Sequence, residues 1–242
     1  IMVVLGNPPY SGHSANKGPW AKQLIDGYKK IDGTPLGDRN PKWLNNDYVK
    51  FIAFGQWRIE LTGQGILGFI TSNSYLNSPT HRGMRYSLIN SFTSIYILNL
   101  HGNANKKEVA PDGNKDENVF DITEGVAIAL FVKEPGKTGP AKVYYDDLWG
   151  LREVKYKELL EHDASTTNWA ELNPTKPYWL LVRRAEGQLV EYEKGWKVTD
   201  IFVSIGEGFT SARDDFAVAF TLDEIEQRLK TLVNTSDSDE TV

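Results

Sequence analysis

Five apolar residues, Ile1 to Leu5, run directly into Gly6-Asn7-Pro8-Pro9-Tyr10. An apolar run without polar alternation reads as a short strand buried on both faces, as in a parallel sheet. Two prolines in succession remove two backbone donors and fix two φ angles, so the strand has to stop there. Helices and loops then alternate: a helix over Trp20 to Lys30, a loop from Asp32 to Trp43 dense in Gly, Pro, Asp and Asn, and a helix capped by Asp47. That helix carries Tyr48, Phe51, Ile52 and Ile59 on its apolar side. Strands are predicted at Ile66 to Thr71, Ser94 to Leu100, Gly125 to Val132 and Ala141 to Tyr145, with a helix opened by Ser78-Pro79 and running to Phe92. This order of strands and helices is that of an α/β sheet, and the later strands, which lack a helix between them, require an antiparallel member.

The chain continues with a charged helix (Leu151 to Glu161), a junction rich in Pro and aromatic residues, and a second region from Tyr178. Thr221-Leu222-Asp223-Glu224 has the spacing of a capping box opening a last helix, and the tail NTSDSDETV is polar. Residues 101–121 form a polar loop of a length that is usually functional or disordered.

With 242 residues, 40% hydrophobic and 24% charged, the chain has the composition of a folded protein with one good-sized core. The absence of cysteine excludes disulfides and thiolate metal sites, and the four scattered histidines give no metal-ligand spacing. A net charge of −5 supplies no global attraction to nucleic acid, so any such binding rests on local basic groups.

At the carboxyl end of a parallel strand, side chains project into the crevice where α/β proteins bind ligands. Asn7 offers an amide oxygen and Pro8 a carbonyl aimed by the stiff double proline, while Tyr10 offers a flat ring. Two acceptors beside a stacking surface suit an NH2 group attached to a planar system. They hold that nitrogen and draw its lone pair out of conjugation, with no strong general base required, because the nitrogen becomes acidic only after alkylation.

Asn7-Pro8-Pro9-Tyr10 resembles the catalytic signature of the amino-directed methyltransferases that use S-adenosylmethionine. GQGILGFITSNSYL (Gly63 to Leu76), RGMR (Arg82 to Arg85), ILNLHGN (Ile97 to Asn103), NVFDITEGVAIALFVK (Asn118 to Lys133) and GFTSARDDF (Gly208 to Phe216) are similar to stretches of Type ISP and Type IIG restriction-modification enzymes and related phage-exclusion methylases. The resemblance implies N6-adenine methylation of double-stranded DNA in a bacterial cytoplasmic enzyme, with the target base flipped out of the duplex. It implies the catalytic half of a Rossmann-like methyltransferase sheet, mixed with its last strands antiparallel, over residues 1–148. It also implies a helical linker over 149–177 and the start of a DNA target-recognition region over 178–242. Asn7 and Pro8 would hold the adenine N6, Pro9 would stiffen the turn, and Tyr10 would stack on the base. Asn7 would also border the methyl donor.

The family's cofactor-binding glycine motif is not found: Gly63-Gln64-Gly65 precedes a strand, and Gly206-Glu207-Gly208 lies in the wrong region. The expectation is therefore an internal segment that binds S-adenosylmethionine weakly or not at all by itself. Its first strand would be an open sheet edge, and its partners the rest of the parent polypeptide, including helicase and nuclease domains. Arg82, Arg85, Lys106, Lys107, Thr210 and Arg213 are the candidate DNA contacts, each against a plain alternative of a solvated or internally paired side chain. His13 and His101 read as surface residues, and Asp146-Asp147 lack the Glu-x-Lys partner of nuclease carboxylates. Two other readings stay open: methylation of a release-factor glutamine, and a non-catalytic DNA-binding module.

Overall fold

The computed structural model describes residues 1–10, 14–38, 41–183, 191–192, 194–202 and 214–233. The apolar runs become β1 (Met2–Gly6), β4 (Gly65–Ser72), β5 (Ser94–His101), β6 (Val126–Lys133) and β7 (Lys142–Asp147), joined by a short β8 (Ala170–Leu172) in one sheet. A separate two-stranded ribbon, β2 (Lys30–Ile31) with β3 (Thr34–Pro35), lies in the Gly/Pro-rich stretch read as loop. The six-stranded sheet has the order β1-β4-β6-β5-β7-β8. β1 is parallel to β4 and β5 to β7, while β6 runs against both β4 and β5, and β8 against β7. The strands β1, β4, β5 and β7 thus end on one common edge of the sheet, with the start of β6 between the ends of β4 and β5.

Three helices connect the parallel strands, since strands pointing the same way need a crossover. They are α1 (Pro19–Asp26), α2 (Asp47–Thr62) and α3 (Arg82–Ser91). The cap of α2 lies one residue before the expected one: Asn46 accepts from the Tyr48 N–H, which leaves the Asp47 carboxylate free for a different task. Tyr48, Ile52 and Ile59 are buried in the main core, but Phe51 is exposed, because the apolar stripe of α2 is narrower than the spacing suggested. Ser78 and Pro79 open the next segment as expected, through one turn of 3-10 helix before α3. α3 approaches the turn after α1 so closely that a Cβ at Gly83 would lie 2.1 Å from the Tyr28 carbonyl.

Alternate strand residues face opposite sides of the sheet. Leu67, Phe69, Ile95, Ile97, Ala129 and Phe131 join the main core with α2 and α3. Ile70, Leu98, Leu100, Val126 and Ile128 form a smaller cluster on the other face, together with Tyr10, Val119, Phe120 and Leu159. Leu159 belongs to α4 (Arg152–Glu161), so the charged helix of the sequence covers the second face of the sheet.

β1 corrects one expectation and meets another. Among the described residues it pairs only with β4 and forms the sheet edge, and for that reason it is not buried: Val3 is 53% and Leu5 70% exposed. The chain divides into two units, Ile1–Arg184 and Ala185–Val242. In the first, residues 178–183 are held to the fold by Arg85 and by an Arg183–Asp146 pair at 2.9 Å. The second contains short helices at Val198–Ile201 and Asp214–Ala217 and a longer one at Leu222–Val233. Thr221 caps this last helix through the Glu224 N–H, and the Glu224 carboxylate reaches back to the Phe220 N–H, one residue beyond the expected box. Among the described residues no helix is long and apolar enough to cross a membrane.

Candidate active site

Asn7 leaves the end of β1 with its side chain exposed, Pro8 is buried, and Tyr10 is half-buried in the smaller apolar cluster. The Tyr10 hydroxyl lies 2.9 Å from Asn7 Oδ1 and 3.2 Å from the Ile70 carbonyl at the end of β4. Burial and the nearby Glu124 carboxylate raise the Tyr10 pKa to about 12, which keeps the hydroxyl protonated and a donor. Asn7 Oδ1 has two lone pairs, so this bond orients the amide while leaving acceptor capacity toward the open side.

The chain beyond Tyr10 is fastened to α2. Asp47 Oδ1 accepts from Ser14 Oγ at 2.5 Å and from Asn16 Nδ2 at 2.9 Å. Lys50 Nζ donates to Ser14 Oγ and to the Asn16 carbonyl, each at 2.6 Å. A carboxylate and an ammonium one helical turn apart thus hold both ends of a short peptide stretch.

Opposite Tyr10 stands Phe120, in the loop between β5 and β6. The ring centroids are 6.4 Å apart with planes inclined at 44°. A planar group held between two parallel rings needs roughly 7 Å, twice an ordinary carbon contact distance; here the two rings touch as a tilted pair within the smaller cluster. Asn118 shapes this turn: its Nδ2 donates to the carbonyls of Gly102 (3.0 Å) and Glu124 (2.6 Å), and its Oδ1 accepts from the Phe120 N–H (2.9 Å). Gly102 (φ +79°) passes so close that an added Cβ would lie 2.4 Å from Asn118 Cα. No signal in the sequence separates Phe120 or Asn118 from the other residues of the NVFDITEG stretch, and only the fold sets them beside Tyr10.

Below the loop, a chain of buried polar groups crosses the strand ends. Asn73 Nδ2 donates to Asn99 Oδ1 (3.0 Å), Asn99 Nδ2 donates to Tyr145 Oη (3.0 Å), and the Tyr145 hydroxyl donates to Asp147 Oδ1 (2.5 Å). His101 closes it, with Nε2 2.6 Å from Asp147 and its ring stacked on Trp149 at 3.3 Å. His101 is therefore buried and not a surface residue; its backbone takes φ +52°, which a non-glycine residue adopts only when the surroundings hold it. Burial lowers its pKa, but the hydrogen bond to Asp147 and the nearby Glu108 carboxylate, 3.9 Å from Nδ1, outweigh this and raise it on balance. Asp146 and Asp147 are committed to Arg183 and to this network.

The candidate DNA contacts fare differently. Lys106 and Lys107 are exposed in the loop that carries Phe120. Lys106 borders a polar cavity of about 270 Å³ with Ser72, Ser74, His81 and Glu124, and Lys107 a cleft of about 820 Å³ with Phe120. Arg82 is bound to Asp38 by two bonds of 2.8 and 3.0 Å. Arg85 is a correction: it is fully buried, donating to the carbonyls of Tyr75, Ser78, Tyr178 and Trp179, because α3 turns this side chain into the core. Thr210, Arg213 and His13 lie outside the described residues.

The mixed sheet thus carries an Asn-Pro-Pro-Tyr turn at its carboxyl edge, with a second aromatic ring beside that turn. Residues 2–105 are matched by the model of the Eco57I restriction-modification methylase family, in agreement with the resemblance carried by the motifs. The ATP-dependent Type ISP restriction-modification enzyme LlaBIII, solved bound to DNA, is 25% identical over 96% of this chain with a TM-score of 0.68. A nuclease-deletion mutant of the Type ISP enzyme LlaGI, in complex with a DNA substrate mimic, is 23% identical over 96% of the chain (TM-score 0.70). The DrdV–DNA complex is 22% identical over 95% (TM-score 0.66). These two share the fold. The chain spans 16% of the LlaBIII, 23% of the LlaGI and 24% of the DrdV chain. No curated protein matches it.

Proposed function

We propose that this chain carries the catalytic half of a DNA adenine-N6 methyltransferase within a restriction-modification enzyme. The observation that carries the reading is Asn7: an exposed amide at a strand end, its Oδ1 already oriented by Tyr10, with Phe120 facing the same ring. The base is flipped from the duplex and enters between Tyr10 and Phe120. Asn7 Oδ1 and the Pro8 carbonyl accept from the two N–H groups of N6 and turn its lone pair out of the ring's conjugation. Positioning of the nitrogen in line with the donor then supplies most of the catalysis. After the N–C bond forms, N6 is acidic and gives its proton to solvent, so no basic side chain is needed. Lys106 and Lys107 lie on the same loop as Phe120 and serve the DNA backbone. Thr210 and Arg213 are assigned to the same role in target recognition.

The methyl donor is proposed to be S-adenosylmethionine, which supplies an electrophilic methyl on a sulfonium leaving group. Of the residues here only Asn7 is assigned toward it. The outer side of β1 presents Val3 and Leu5, apolar groups unsuited to a charged cofactor. The main part of the donor site is therefore assigned to the remainder of the parent polypeptide. The test is the full-length protein with Asn7 intact and with Asn7→Ala, scored for N6-methyladenine in DNA by mass spectrometry. Loss of one preorganised transition-state hydrogen bond lowers the rate by about 100- to 1000-fold, with DNA binding retained. Methyl transfer to a release-factor glutamine, or no transfer by either protein, would refute the proposal.

A further inference from the structure

The segment carrying Phe120 has no strand or helix of its own, yet its carbonyls are taken one after another by a single helix. Lys155 Nζ donates to the Glu117 carbonyl at 2.7 Å, and Arg152 Nε to that of Asn118 at 2.7 Å. The Tyr156 hydroxyl donates to the Val119 carbonyl at 2.5 Å, and Arg152 Nη2 to that of Phe120 at 3.0 Å. Residues 152, 155 and 156 stand at i, i+3 and i+4 and share one face of α4. Their bonds cover four consecutive carbonyls.

The arrangement is reciprocal. The N-cap residue of α4, Leu151, has no side-chain bond to give, and the Glu117 carboxylate accepts the Arg152 N–H at 3.1 Å in its place. Arg152 also pairs with Asp121 at 2.7 Å. Lys155 is fully buried and spends its three protons on the Glu117 and Leu100 carbonyls and on Asp116 Oδ1, each at 2.7 Å. The Asp116 carboxylate in turn accepts from the Gly102 and Gly150 N–H groups at 2.7 and 2.9 Å. Segment and helix therefore fix each other on the second face of the sheet. The element expected to be a linker is bonded to the loop that holds one wall of the site.

We infer that Arg152, Lys155 and Tyr156 are positioning residues for methyl transfer, holding the backbone of residues 117–120 so that the Phe120 ring stands opposite Tyr10. This deepens the proposed function and rests on it. A carbonyl ladder fixed by charged and hydroxyl donors restrains the Phe120 backbone and leaves only its side-chain torsions free. The small opening that admits a base is then a rotation of the ring and not a movement of the loop.

The test is a double-mutant cycle in the full-length protein, using Arg152→Met, Phe120→Leu and the pair together, with methyl incorporation into unmethylated bacterial genomic DNA as the rate. A displaced wall lowers kcat by about tenfold to a hundredfold in either single variant, with KM for DNA changed less than twofold. If Arg152 acts through Phe120, the double variant is no slower than Phe120→Leu alone. A second readout uses a duplex with 2-aminopurine at the methylated position found by sequencing; its emission rises equally in both single variants as stacking on the second ring is lost. Tyr156→Phe removes one hydroxyl and is read in the same cycle if thermal unfolding shows that Arg152→Met does not fold. Multiplicative losses, an unchanged kcat, or an effect confined to KM would overturn the inference. A wild-type protein that methylates no adenine would instead overturn the proposed function.

Discussion

The two walls of the site are built by opposite means. The first, Asn7 to Tyr10, is stiff because of its own covalent structure: two prolines fix the turn, and the partners of Tyr10 are its neighbour Asn7 and the end of the adjacent strand. The second, Phe120, is placed by side chains remote in sequence, through carbonyl bonds from α4 and a buried ion pair. One wall is specified locally and stands on an exposed edge strand. The other exists only once the sheet, the loop and the helix have assembled. A substitution that harms the chemistry of the first leaves the fold intact, whereas harm to the support of the second is felt by the fold.

Lys155→Met would divide the two most sharply. Removing the cation leaves Asp116 buried without its partner, a loss of about 3–5 kcal/mol, read by chemical denaturation. Asn7→Ala, at an exposed position, changes stability by no more than about 0.5 kcal/mol. Equal effects of the two would break the comparison.

Two histidines give a smaller contrast with pH. His81, buried beside Arg85, has its pKa lowered to about 4 by burial and then by that guanidinium. Its contribution to stability is present above the unfolded value of 6.5 and is lost as pH falls from there toward 4. His101 has a raised pKa, so its contribution is full below 6.5 and is lost as pH rises through its folded value. Replacing each in turn by Gln and following unfolding free energy from pH 4 to 9 should flatten opposite limbs of the profile. The smallest change is Tyr10→Phe, which keeps the ring and removes the hydroxyl bond to Asn7. Its worth is about 0.5–1.5 kcal/mol, a two- to tenfold drop in methylation rate. A drop as large as that of Asn7→Ala would mean that orientation of the amide, more than its acceptor lone pair, limits the first wall.

The first wall was legible in the sequence because its parts are contiguous: apolar strand, amide, two prolines and ring stand side by side. The five longer strands β1 and β4 to β7 and the helices α1 to α4 were legible for the same reason, their patterns being local, whereas the short β2, β3 and β8 were not. What depends on neighbours was not. An apolar run does not by itself report burial: β1 stands at the edge that the missing glycine motif implied, yet Val3 and Leu5 are exposed where the run reads as buried on both faces. Arg85 and Arg82 look alike in RGMR, yet one enters the core to satisfy four carbonyls and the other pairs with Asp38 at the surface. Asn46 and Asp47 are both good caps, and the choice was made by Ser14 and Asn16, which claim the carboxylate. Phe120 and α4 were invisible as a pair, since no spacing rule links a loop carbonyl to a helix beyond the next two strands.

The direction of β6 has a consequence for how such a site can vary. Because this strand runs backwards, the 24 residues between His101 and Val126 leave the sheet and return to it on the same edge. Had β6 run parallel, the connection would have had to cross to the far edge and take its residues away from Asn7. The reversal makes this stretch a closed excursion with both feet in the ladder, so its length and content can be rewritten without changing a single strand pairing. Under the function proposed above, substrate preference is tuned by editing this excursion and the helix that grips it, while the Asn-Pro-Pro-Tyr turn stays the same.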